Sequence, residues 1–121
     1  MSIDKSGSID KSGKMDEAAF ESLAAQTLQR FAARIEDATM ELEVDLVEGV
    51  LNIETEDGAT YLINKHSPLR QLWLSSPVSG AGHFDYNAAN KTWDSTRGGE
   101  PLEKILEREL SAAAGAPISL A

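Results

Sequence analysis

The hydrophobic period of this chain switches near Ala38 from that of a helix to that of a strand, and it switches back after Gly99. That pair of changes leaves few folds available. From Asp16 to about Ala38 the apolar positions are Phe20, Leu23, Ala24, Leu28, Phe31 and Ile35, in steps of three and four. Such steps predict an amphipathic helix with one buried stripe. Asp16 suits its N-cap, and Met15 before it is placed to staple onto Phe20. Glu41, Glu43 and Asp45 then alternate with Leu42, Val44 and Leu46, the pattern of a half-buried strand with acidic outward positions. Glu48-Gly49 predicts a tight turn into a strand over Val50 to Thr55, and Asp57-Gly58 a hairpin into Thr60 to Asn64. Ser67-Pro68 breaks the chain before a strand over Leu69 to Ser75. Pro77, Gly80 and Gly82 predict an irregular turn before short strands over His83 to Tyr86 and Lys91 to Asp94. Pro101 then opens a second helix with the stripe Leu102, Ile105, Leu106 and Leu110, ended by Gly115 and Pro117. Short links between strands require antiparallel pairing, and two singly striped helices can cover one side only. The expected fold is therefore α+β, a two-layer sandwich. An antiparallel sheet of about six strands carries the N- and C-terminal helices on one face and leaves the other open.

The 121 residues suffice for one core, expected over residues 15–121. Residues 1–14 are polar and contain SIDKSG twice in tandem, which fits a disordered tail or cloning remnant rather than a signal or transit peptide. There is no cysteine, so disulfides, thiolate metal sites and cysteine nucleophiles are excluded. No apolar run approaches the roughly 20 residues of a membrane helix. The net charge of −9 is concentrated: residues 16–57 hold twelve acids against only Arg30 and Arg34, whereas residues 58–121 are balanced. A field of that sign repels nucleic acid and anionic lipid, and attracts cations or basic protein surfaces. Neither class of polyanion is an expected partner.

Alternation also sorts the fourth strand. Leu72 and Leu74 point to the core, so Gln71, Trp73 and Ser75 share the outward face, with Asn64 outside on the preceding strand. Either this tryptophan belongs to a surface that a partner covers, or it lies beneath a loop or the C-terminal segment. The acidic strand positions, roughly 7 Å apart, form an open ridge of hard oxygen donors suited to weak, exchangeable cation binding. His66, beside a turn, and His83, opening a strand, have no metal-ligand spacing. No G-x-S-x-G elbow or glycine-rich phosphate cradle is present, and solvent-facing carboxylates make poor general acids. Conventional hydrolase or transferase chemistry is not expected.

The stretch from Gly49 to Gly80, with INK followed by Q-x-W-L-S-S-P, resembles the central sheet of the frataxin family. The similarity continues through HFDY at 83–86, Trp93 and PLEKILEREL, and reaches back to DEAAFESLAAQTL, about residues 15–112 in all. The resemblance implies an accessory role in iron–sulfur cluster assembly. Such proteins dock on a complex of cysteine desulfurase and scaffold protein, modulate sulfur transfer and cluster synthesis, and hold iron (Fe2+ or Fe3+) weakly. Ferroxidase activity or iron buffering and storage are the alternatives. Carried over by position, the iron-holding ridge is Asp16, Glu17, Glu21, Glu36, Asp37, Glu41, Glu43 and Asp45. The partner surface is Asn64, Gln71, Trp73, Ser75 and His83. Ala25, Gln26, Gln29 and Ala33 stand where acids often occur, implying reduced iron capacity, and His83 replaces a frequent basic residue. The resemblance further implies a monomer that iron can assemble into oligomers. It places the protein in the bacterial cytoplasm, with the mitochondrial matrix as alternative.

Overall fold

The computed structural model describes residues 15–121; the expected tail lies outside the described residues. Helix α1 (Glu17–Ala38) is followed by strands β1 (Glu43–Val47), β2 (Val50–Glu54), β3 (Thr60–His66), β4 (Gln71–Ser76), β5 (Gly80–Asn87) and β6 (Thr92–Ser95), then helix α2 (Leu102–Ala114). A single 3-10 turn, Ser67–Leu69, separates β3 from β4. The six strands pair antiparallel in chain order, so β1 and β6 are the edges. The α+β sandwich expected from the change of period is the fold observed.

The local causes follow the sequence closely. Asp16 caps α1 by accepting from the Ala19 amide at 2.8 Å, satisfying one of the helix's unpaired N–H groups. Gly115 ends α2 in the left-handed region at φ 66, a conformation that costs glycine least. Between β1 and β2 a two-residue turn requires positive φ at both Glu48 and Gly49. A Cβ at Gly49 would lie 2.8 Å from Lys65 Cε, the movable end of a flexible side chain, so the positive φ is what requires the glycine.

Both helices cover the same side. Phe20, Leu28, Phe31 and Ile35 of α1 and Leu102, Leu106 and Leu110 of α2 pack with Leu51, Ile53, Tyr61, Ile63, Leu72, Phe84 and Trp93 of the sheet. The indole N–H of Trp93 is satisfied inside this core, donating to Thr27 Oγ1 at 3.2 Å. Two boundaries differ from expectation. Gly82 lies within β5 opposite Leu74, not in a turn; a Cβ there would meet the Phe84 ring at 2.9 Å, which accounts for the glycine. The segment after α2 also joins the core: Ile118 and Leu120 are buried on the helix side, away from Trp73.

Candidate functional site

The side of the sheet that the helices leave uncovered is read directly from the strand register. One row across it runs Val47, Val50, Asn64, Trp73 and His83; the next runs Asp45, Asn52, Leu62, Ser75 and Ala81. Trp73 thus faces outward as alternation requires, but it does not stand free. His66 and His83 lie on its two faces, with ring centroids at 3.9 and 4.1 Å and planes within 6° and 9° of parallel. The three rings form one stack across β3, β4 and β5. The rings cover one another's flat surfaces, leaving Trp73 half-buried.

Gln71 is corrected more strongly. Although on the outward side, it is only 8% exposed. Its Oε1 accepts the Trp73 indole N–H at 2.8 Å, and its Nε2 donates to Asp85 at 3.3 Å. Both polar atoms of the amide thus have partners within the chain, and these bonds hold the indole in place. Asn64 is half-buried, donating to the Lys65 carbonyl at 3.4 Å. Ser75 and His83 are exposed. Around them Leu62, Val50 and Val47 expose 39%, 37% and 55% of their surfaces, an apolar apron on the same face as the stack.

His66 is the participant that sequence reasoning missed. Taking it as a turn residue hid the fact that β3 continues to it, and that Leu62, Asn64 and His66 share one side. Its Nδ1 is buried without a hydrogen-bond partner among the described residues.

The eight acids expected to form an open ridge are spread along α1 and the start of the sheet. Asp16 is committed to its cap. Glu21 accepts from Lys65 and Ser67, tying α1 to the end of β3. The bonds from Lys65 and then Ser67 hold its carboxyl below the usual range. Glu17 and Glu36 are near opposite ends of the 22-residue helix, roughly 28 Å apart at 1.5 Å per residue. Glu36 and Asp37 are exposed at its C-terminal end. Glu41 precedes β1 rather than lying in it, because the strand starts at Glu43. Glu43 and Asp45 point to the uncovered face, since Val44 and Leu46 pack on the core beneath α1.

A tighter concentration of charge forms instead where β1 meets the β2–β3 hairpin. Glu43 lies opposite Glu54 in the register, and Glu41 lies close enough to Glu56 to push its carboxyl up. Like charges opposite one another destabilise a sheet, though on an edge strand they also discourage pairing with other chains. Among the described residues no three histidine or carboxylate side chains converge on a point that could hold a metal ion. Oxygen donors of this kind fit iron by type, and their spread fits loose, multiple occupancy rather than a chelate.

The frataxin-like domain profile matches residues 13–116. The chain is 38% identical over 106 residues to the iron-sulfur cluster assembly protein CyaY of Thioalkalivibrio sulfidiphilus, covering 86% of this chain and 98% of that protein. It is 36% identical to the mitochondrial frataxin of Dictyostelium discoideum, covering 76% of this chain and 50% of the relative. Among solved structures, frataxin from Psychromonas ingrahamii superposes with a TM-score of 0.79 at 26% identity, covering 88% and 99% of the two chains. A trimeric frataxin from Saccharomyces cerevisiae complexed with ferrous iron gives 0.57 at 32% identity, covering 82% and 85%. A match over most of the chain, in sequence and in fold, makes this protein a member of the frataxin family.

Proposed function

We propose that this protein is a non-catalytic accessory of iron–sulfur cluster assembly. Its uncovered sheet face docks on a complex of cysteine desulfurase and scaffold protein and modulates sulfur transfer. The observation that carries this reading is the His66–Trp73–His83 stack, held in place by Gln71 and bordered by exposed Leu62, Val50 and Val47. A pre-positioned aromatic group loses little freedom on binding and supplies most of the buried area, the usual character of an interface anchor. The name of the Thioalkalivibrio relative, an iron-sulfur cluster assembly protein, supports the assembly role.

The acidic edge acts beside this surface. Glu41, Glu43, Glu54 and Glu56 present negative charge to a basic partner and speed its approach. The same carboxylates hold Fe2+ or Fe3+ weakly as cargo, a reading supported by the yeast relative's complex with ferrous iron. Dispersed carboxylates favour docking over ferroxidase activity, which needs a fixed di-iron geometry. The yeast relative is trimeric; here a monomer docks, and oligomers form only with iron. Bacterial relatives support a bacterial cytoplasmic location.

The test is the rate of cluster assembly by a desulfurase and scaffold pair, with the protein and with Trp73→Ala. The native chain changes the rate and the variant does not. A folded Trp73→Ala protein with full effect would remove the sheet face from the mechanism.

A further inference from the structure

On the opposite side of the molecule, a cleft of about 480 Å3 opens between α1, the β5–β6 loop, α2 and the C-terminal segment. Its charge is contrary to the rest of the chain. Arg30 and Arg34 line it from α1, Lys91 from the loop and Lys104 from α2. These are half of the eight lysines and arginines among the described residues of a chain that carries −9 overall.

Arg30, Arg34 and Lys91 make no ion pair within 4 Å of a described residue, although Arg30 is near enough to Glu103 to favour its charged form, and Arg30 lies over the Phe31 ring at 5.6 Å. Arg30 and Arg34 are four residues apart on one helix face, a repulsive arrangement unless an anion joins them. The two acidic side chains in the wall, which Ala121 also lines, are already engaged. Glu103 accepts from the Trp93 amide at 3.1 Å; burial pushes its carboxyl up, while the charge of Arg30 acts in the opposite direction. Glu107 accepts from the Leu120 amide at 2.8 Å and pairs with Lys104 at 3.6 Å. Between these groups the wall is apolar, formed by Leu23, Tyr86 and Leu120.

We propose that this cleft binds a small organic anion, its apolar body against Leu23, Tyr86 and Leu120 and its phosphate or carboxylate held by Arg30, Arg34 and Lys91. The volume is within the range of small-molecule sites, which combine an apolar lining with a few converging polar groups. Guanidinium groups suit both kinds of oxyanion through paired N–H donors.

The full chain, isotopically labelled, is titrated with phenyl phosphate, benzoate and neutral benzyl alcohol while its amide signals are followed. Both anions are expected to move the signals of Thr27, Lys91, Glu107 and Leu120 saturably, and the tighter one identifies the preferred oxyanion. The triple variant Arg30→Gln, Arg34→Gln, Lys91→Gln is expected to bind about tenfold or more weakly. All three side chains are exposed, so the variant keeps the native spectrum elsewhere. Shifts that do not saturate, a triple variant that binds as tightly as the native chain, or benzyl alcohol that binds as tightly as the anions would overturn the proposal.

Discussion

The two tryptophans occupy opposite faces of one sheet, and the contrast between them separates a ring that holds the core together from one left at the surface. Trp93 is fully buried, edge-on to Phe20 with ring centroids 6.2 Å apart, and its N–H is satisfied by a core threonine. Trp73 is half-buried, and its neighbours are two imidazoles and a glutamine rather than aliphatic groups. One ring is surrounded by packing that excludes water; the other is braced by polar groups on a face that nothing within the described chain covers. A residue type therefore indicates little until strand alternation assigns its side.

If that division is right, the largest loss of stability comes from the covered face. Trp93→Ala should cost about 3–5 kcal/mol, as expected for a buried tryptophan, read as a lower midpoint in urea. Trp73→Ala should cost about 1–2 kcal/mol, the order of its two stacking contacts, while abolishing any effect on cluster assembly. Equal losses in the two variants would erase the distinction between the faces.

Glu21→Gln probes the link from α1 to β3 and should cost about 0.5–1 kcal/mol at neutral pH, since the pair is partly exposed and screened. The sign follows from its lowered carboxyl. Its contribution is present above the ordinary value near 4.5 and is lost as pH falls through the lower folded value. Chemical denaturation of both proteins across that range should therefore converge in acid. Glu103→Gln should act in the opposite direction and least of all. Burial raises that carboxyl, so the native chain loses stability as pH rises through the folded value. The amide avoids this loss, and its relative stability should grow toward neutral pH.

The sequence made the covered face more legible than the open one. Phe20 to Ile35 and Leu102 to Leu110 predicted both helices because a buried stripe imposes a period, and Leu72 and Leu74 set the sides of β4 for the same reason. The ends of β3 and β5 were obscured by residues that break the pattern for local reasons. Lys65 points inward but reaches Glu21, and Gly82 is small to admit Phe84. His66 was hidden by the turn that follows it, and with it the ring stack. Ile118 and Leu120 lie in a short segment without periodicity, so their burial left no signal. The spread of the acidic positions was not legible either, because nearness in sequence does not report the length of a 22-residue helix.

The claim that the uncovered face is the partner surface is tested most directly by the two indole N–H signals of the labelled protein. On adding the desulfurase and scaffold complex, the Trp73 indole signal should shift or broaden together with the amides of Asn64, Ser75 and His83, while the Trp93 indole stays where it is. An unmoved Trp73 signal, with changes confined to residues of α1 and α2, would contradict the account.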